Sequence, residues 1–215
     1  MTPGIRKLAL TAHVTASVSW LGAVAAFLSL AVTALVGRDA QTIRAAYVAT
    51  EMITWSVIIP LAFATLVTGL VVSLGTPWGL FRHYWVRVKF MLTILATALL
   101  LLHTRPIRIL AGVARATASF SDFRGLQIQL VGDAGGALLA LLVNVTLSVY
   151  KPQGLTAYGR RKQREQNHVV EGETGHDSAS TPRWMIAFAL LILGLILVFV
   201  VVHLAGGGLG ALHHR

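Results

Sequence analysis

The sequence contains no cysteine and few charged residues. The absence of cysteine excludes disulfides, thiolate metal sites, covalently attached c-type haem and cysteine-ligated iron–sulfur clusters. Only 12% of the 215 residues are charged, whereas 55% are hydrophobic. A soluble domain of this length needs more charge to cover its surface. The composition therefore predicts an integral membrane protein.

Acidic residues are also scarce, with 8 Asp and Glu against 18 Lys and Arg, which leaves a formal charge of +10. In a soluble protein this excess would suggest nucleic acid as a partner. Here the basic residues lie in loops and near the ends of apolar segments, where they orient helices and meet anionic lipid. No nucleic-acid-binding module is recognisable. We therefore expect the lipid bilayer, and no nucleic acid, as a partner.

Apolar stretches of about twenty residues recur, and each can cross about 30 Å of hydrocarbon. Because backbone groups in lipid must be satisfied internally, these stretches are predicted to be helices. We expect an all-α integral membrane bundle with about five transmembrane helices. The predicted spans are residues 8–36, 51–75, from 86 to just past His103, 130–150 and 184–206. Pro60 predicts a kink in the second span, and Pro106 predicts a bend at the end of the third.

These spans divide the chain into three parts: a four-helix membrane core (1–150), a polar cytoplasmic loop (151–183), and a fifth transmembrane helix with a short tail (184–215). With the N-terminus in the cytoplasm, eleven Lys and Arg residues lie on the cytoplasmic side and seven on the other side. The positive-inside rule favours that orientation. We expect a multi-pass protein of the bacterial cytoplasmic membrane.

Two histidines lie at the ends of long apolar runs, His103 in LLLLHTRP and His203 in VFVVVHLAGG. Under the expected orientation both lie in the outer leaflet. An ionisable group at membrane depth is costly and indicates function. Two imidazoles at matched depth are candidate axial ligands of a haem iron, or ligands of a metal ion. Each is also consistent with an interfacial residue that bonds to a carbonyl or a headgroup.

A second set of polar residues lies toward the cytoplasmic ends of the first and third spans. His13, Ser17 and Trp20 share one face of the first helix, since they are spaced i, i+4 and i+7. Lys89 lies just inside the third span and either faces the bundle or reaches the membrane surface. Asp133 is predicted to cap the fourth helix, with a place in the outer site as the alternative. Glu51 is expected to act as a cap. Asn144 and Thr146 are expected to form interhelical hydrogen bonds.

The first span has the pattern His13, six residues, Trp20 and a small-residue step, and the third span has Trp85, three residues and Lys89 before its apolar helix. These motifs resemble the small bacterial membrane proteins grouped around HemJ-type protoporphyrinogen oxidases and CopD-like copper-resistance proteins. They look most similar to an uncharacterised set of predicted integral membrane proteins in that neighbourhood. The resemblance implies a haem b site that contains His13 and Lys89, and it covers about the first half of the chain.

Three functions are consistent with these features. The first is a b-type haem protein that moves electrons, because bis-imidazole or imidazole–amine ligation leaves no open coordination position. A redox partner or quinone would then be needed. The second is a membrane protein that handles copper or another metal, although the lack of cysteine and the four scattered methionines disfavour copper(I). The third is a non-catalytic accessory subunit. Enzymatic activity and oligomeric state stay open.

Overall fold

The computed structural model of the protein describes residues 2–75, 84–116 and 120–150, together with Arg161. This part of the chain is helical and contains no strand. The predicted fifth span, His203 and the polar loop 151–183, apart from Arg161, lie outside the described residues. The described helices are α1 (Pro3–Val36), α2 (Ala40–Ile53), α3 (Ile59–Gly75), α4 (Tyr84–Leu102), α5 (Thr104–Arg115) and α6 (Arg124–Tyr150).

Four helical segments within the described residues are long and apolar enough to cross a membrane. They are α1, the α2–α3 pair, the α4–α5 pair and α6. Their outward faces carry exposed aliphatic side chains such as Leu8, Val67 and Leu102. Such a surface suits lipid and would be a liability in water. The prediction of an all-α membrane bundle is therefore confirmed, with four of the five expected spans inside the described residues.

The helices run back and forth between two ends of the bundle. One end, which we call the Lys89 end, contains the beginnings of α1 and α4 and the last turns of α3 and α6. The opposite end, the His103 end, contains the last turn of α1 and the beginnings of α2 and α6. Helix α1 packs against α2, α3 and α6. It buries a single stripe of residues, among them Trp20, Val24, Phe27 and Ala31, whose spacing places them on one helical face.

The second membrane segment begins at Ala40 and not near residue 51, as the hydropathy indicated. The additional turns, AQTIRAAYVAT, are amphipathic, so they do not stand out as an apolar run. They bury Ala46, Tyr47 and Thr50 as α2 packs against α1 and α5. Asp39 begins this helix as its N-cap, since its carboxylate accepts a hydrogen bond from the Thr42 amide at 2.7 Å.

The kink predicted at Pro60 takes the form of a π-helical turn just before it, at Thr54–Ile58. The amide of Ile59 donates to the carbonyl of Thr54. Proline has no amide hydrogen, and its ring collides with the carbonyl four residues earlier in a regular helix. The wider turn accommodates both constraints without ending the membrane segment.

The bend expected near Pro106 is located at His103, where α4 ends and α5 begins. Pro106 lies in the first turn of α5, where a missing amide hydrogen is tolerated. Helix α5 packs its apolar face, which includes the fully buried Leu110, against α2. The predicted cap role of Glu51 is wrong, because Glu51 forms an ion pair with Arg115 of α5.

We predict that the start of α2 is sensitive to acid because of Asp39. Hydrogen bonds from the hydroxyl and the amide of Thr42 hold the pKa of this exposed carboxyl below its usual 3.8. Because the pKa is lowered, the ionised carboxylate stabilises the helix fully at pH values above its usual pKa. This contribution is lost as the pH falls through the lowered pKa. Hydrogen exchange of the Thr42 and Ile43 amides, measured relative to their intrinsic rates, should therefore accelerate in acid.

The matched control is Asp39→Asn, which keeps a capping oxygen but does not titrate. We expect Asp39→Ala to expose these amides at every pH, and Asp39→Asn to protect them with no step in acid. The same acid-dependent acceleration in Asp39→Asn would show that another group is responsible.

Candidate functional site

His13 lies on α1 at the Lys89 end and faces α3. Its Nδ1 is 3.1 Å from the hydroxyl oxygen of Thr68. The next residue, Gly69, allows the imidazole to approach, because a Cβ built there would lie 3.0 Å from His13 Cε1. Ser17, one turn further along α1, donates to the carbonyl of His13 at 2.8 Å, so it does not occupy the ring.

The hydroxyl of Thr68 determines which imidazole nitrogen carries hydrogen. This hydroxyl has one hydrogen, and its oxygen is 2.6 Å from the carbonyl of Ala64, which can only accept. Thr68 therefore accepts from His13, so Nδ1 carries the hydrogen. In a neutral imidazole the other nitrogen, Nε2, then keeps its lone pair. A hydrogen-bonded Nδ1–H with a free Nε2 is the arrangement found in most metal-ligating histidines.

Lys89 lies at the same end of the bundle, between α4 and α6. Its ammonium donates to the hydroxyl of Ser148 and lies 5.9 Å from the ring centroid of Trp85, within cation–π range. It is close enough to His13 for the two side chains to interact electrostatically. Lys89 forms no ion pair with a described carboxylate. The Lys89 end therefore holds a partly buried positive charge beside a ligand-competent imidazole.

A second polar contact lies one helical turn from Lys89, toward the His103 end. The side-chain amide of Asn144 donates to the hydroxyl of Thr93 at 2.8 Å, and Thr93 donates to the carbonyl of Lys89. The expected interhelical role of Asn144 is confirmed. The same prediction for Thr146 is wrong, because its hydroxyl donates to the Leu142 carbonyl of its own helix. Together with the Lys89–Ser148 contact, this bond ties α4 to α6, since hydrogen bonds of this kind join helices within a bilayer.

His103 lies at the opposite end of α4 and contacts Asp133 of α6. Its Nε2 is 3.0 Å from one oxygen of the Asp133 carboxyl group, Oδ2. Its Nδ1 is 2.7 Å from the carbonyl of Leu99, and a carbonyl only accepts, so Nδ1 carries a hydrogen. Both side chains are about nine-tenths buried. Asp133 thus pairs with His103, as the alternative prediction had it. Its predicted role as a helix cap is wrong, because its carboxyl group faces α4.

An apolar cleft of about 380 Å³ lies between these two ends, bounded by α1, α4 and α6. Trp20 and Phe27 line it from α1, Leu92 and Leu99 from α4, and His103 and Asp133 belong to its lining at the His103 end. Trp20 is a packing residue, as expected, and is 2% exposed. The cleft could not be read from hydropathy, because it is a space between helices and not a pattern along one of them.

The structure brings together two of the four residues predicted for a cofactor site. His13 and Lys89 lie at one end, and His103 lies at the other. His203 is outside the described residues, so its pairing with His103 stays a prediction. Within 2–75, 84–116 and 120–150, no three side chains of His, Asp, Glu or Cys come together as a metal site.

Sequence reasoning missed the partners of the predicted residues, namely Thr68, Gly69 and Ser148. Each lies in an otherwise apolar helix, and small polar residues are common where membrane helices pack closely. The signal that was available is the one-turn spacing of Asn144 and Ser148 on α6 and of Lys89 and Thr93 on α4. These pairs put two matching polar faces on helices that run in opposite directions.

Comparison of the chain with protein-family models, with curated proteins and with solved structures finds no match.

Proposed function

We propose that this chain is a multi-pass membrane protein that binds haem b at the Lys89 end and serves in transmembrane electron transfer or redox chemistry. The observation that carries the proposal is the His13–Thr68 hydrogen bond, which leaves His13 Nε2 with a lone pair. Nitrogen ligation by a histidine with a fixed tautomer is the usual protein contribution to a b-type haem site. The resemblance of the His13 and Lys89 motifs to HemJ-type proteins points to the same residues.

The residues at the Lys89 end fit haem b in two respects. His13 supplies the imidazole nitrogen, and Gly69 lets its ring lie close against α3. The ammonium of Lys89 has no carboxylate partner among the described residues, so it suits either the propionate groups of haem or, when deprotonated, its iron. Bound haem b would supply one-electron chemistry, with a quinone or another redox protein as the partner.

His103 fits less well than His13 as an axial ligand. Both nitrogens of His103 face oxygens, those of Leu99 and Asp133. Ligation of iron through Nε2 would require Asp133 to move away and leave a buried carboxyl group without that contact. We therefore propose His13 as the first ligand, and we retain His103 with His203 as a second site that depends on this rearrangement.

The orientation that we propose has the Lys89 end in the cytoplasm of a bacterial inner membrane. Arg6, Lys7 and Arg87 lie near this end, as the positive-inside rule expects of a cytoplasmic surface. The haem site near His13 would then lie in the inner leaflet.

Absorption spectroscopy tests the haem proposal directly. The protein should be produced with haem supplied, purified in mild detergent, and measured oxidised and after reduction with dithionite. We expect a Soret band with sharp reduced α and β bands, reduced by at least tenfold per protein in His13→Ala. In Thr68→Val, where the tautomer is no longer fixed, we expect weaker haem retention, since losing such a partner costs about 10-fold to 100-fold in metal-site affinity.

Variants at the His103–Asp133 contact and at His203 serve as the comparison for His13→Ala. We expect His203→Ala and the double variant His103→Leu/Asp133→Leu to retain the Soret band, because the proposed His13 site uses none of these residues. A band that survives in His13→Ala and disappears in these variants would move the site to the outer leaflet. A colourless protein after haem supply would overturn the proposal. Bound copper would then favour metal handling, and a fixed protein partner without metal would favour an accessory subunit.

A further inference from the structure

The apolar cleft bounded by α1, α4 and α6 has the size of a ligand site. Its volume of about 380 Å³ lies within the range of about 300 to 1,000 Å³ that is typical of small-molecule pockets. Its lining is almost entirely aliphatic and aromatic, with polar groups from His103, Asp133 and Trp20. An apolar cavity with few polar groups is the usual composition of a small-molecule site.

Small residues of α6 create this space. Ala134, Gly136, Ala137 and Ala140 line the cleft where larger side chains would fill it. A Cβ built on Gly136 would meet no atom of the described residues within 4 Å. Close helix contact is the usual reason for small residues in membrane helices, but no described residue makes that contact at Gly136. These residues leave a cavity in place of a tight helix pair.

Apart from the two atoms of the His103–Asp133 contact, two buried polar atoms at the cleft have no hydrogen-bond partner among the described residues. One is the indole Nε1 of Trp20, a residue that is only 2% exposed. The other is Oδ1 of Asp133, the carboxyl oxygen that does not face His103. Buried polar groups without a partner are costly, and native proteins rarely keep them. The indole N–H is a hydrogen-bond donor, and the Asp133 oxygen is an acceptor when the carboxyl group is ionised. An occupant of the cleft should therefore carry both an acceptor and a donor.

We propose that the cleft binds a lipid-soluble quinone or its quinol. Among the described residues, the lining contains no Lys or Arg, which disfavours the phosphate of a phospholipid headgroup. An uncharged ring with carbonyl or hydroxyl oxygens matches the apolar walls, and its head can accept from an N–H or donate to a carboxylate. His103 Nε2 and Asp133 Oδ2 lie 3.0 Å apart, and either group can carry a proton, so this pair can face either the carbonyl form or the hydroxyl form of the ring.

A quinone in the cleft would be the lipid-soluble partner of the proposed redox function, and its biological role rests on that proposed function. Binding itself does not require haem, because the cleft and the Lys89 end are made of different residues. His13→Ala protein should therefore lose the Soret band and still bind quinone. The two proposals can thus fail separately.

The absence of cysteine from the chain gives a clean test by site-directed alkylation. Gly136→Cys places a single thiol in the cleft, and Gly135→Cys places one at the neighbouring position, which is equally open but does not line the cleft. Each variant, in lipid nanodiscs, is alkylated with N-ethylmaleimide with and without decylubiquinone. The ring of this quinone is fully substituted, so it does not itself react with thiols.

We expect saturating decylubiquinone to slow alkylation of Gly136→Cys by at least fivefold and to leave Gly135→Cys unchanged. Equal rates with and without quinone at Gly136→Cys, or equal protection at both positions, would overturn the proposal. An inert thiol in Gly136→Cys without quinone would also overturn it, since the cleft would then be filled by another part of the chain or a second copy. Ala140→Cys, also in the lining, repeats the test if Gly136→Cys does not fold.

Discussion

Removing either member of the His103–Asp133 pair should destabilise the bundle strongly, whereas removing both should cost much less. The two side chains are about nine-tenths buried and lie 3.0 Å apart. Breaking a buried pair from one side typically costs about 3 to 5 kcal/mol, because it leaves a charged or polar group uncompensated. Replacing both members with apolar residues of similar volume is often neutral. We expect His103→Leu and Asp133→Leu each to lose about 3 kcal/mol, and the double variant less than either.

Unfolding in sodium dodecyl sulfate, followed by circular dichroism, gives the free energies for this double-mutant cycle. Thr146→Leu is a suitable control, because its exposed hydroxyl bonds only to the Leu142 carbonyl of its own helix. It should change the free energy of unfolding little. If the two single effects simply add in the double variant, His103 and Asp133 do not stabilise each other, and the contact is not a functional pair.

A side chain at Gly69 should abolish haem binding as completely as the loss of His13 itself. A Cβ at this position would lie 3.0 Å from His13 Cε1 and 3.4 Å from Nδ1, and the branched side chain of valine extends further. The imidazole must then move away from Thr68, which removes the hydrogen bond that fixes its tautomer. We expect Gly69→Val to lower the Soret absorbance per protein by at least tenfold.

Gly22→Val is the matched control for Gly69→Val. Gly22 is also in a membrane helix, and a Cβ there would meet nothing within 4 Å. Both changes place a β-branched residue in a helix, so they share any cost of helix propensity. Normal haem content in Gly69→Val would show that His13 does not hold the iron, whereas equal losses in both variants would indicate general damage to the helices.

The membrane bundle itself was predictable because its signal is local. An apolar run of about twenty residues can be recognised without knowing its neighbours, and lipid permits only helices for such a run. The beginning of α2 was not predictable in this way. Its first turns are amphipathic, and their burial depends on contact with α1 and α5. The π-helical turn before Pro60 was indicated only as a kink.

The sites were partly predictable for the same reason. His13, Lys89 and His103 stand out because ionisable residues are rare in apolar helices. Their partners do not stand out, since Thr68, Ser148 and Asp133 are separated from them by at least thirty residues. The role of Asp133 was predicted wrongly because the sequence offered a cap within its own helix, and nothing local indicated that it faces α4.

The all-helical membrane bundle and the unusual placement of a few ionisable residues follow from the sequence alone. Composition and the length of apolar runs are sufficient for these conclusions, because the bilayer imposes them on each segment separately. The bond from His13 to Thr68, the contact of His103 with Asp133 and the cleft between α1, α4 and α6 come from the tertiary structure. These features depend on how antiparallel helices meet, and a polar spacing along one helix does not identify which helix it will pack against.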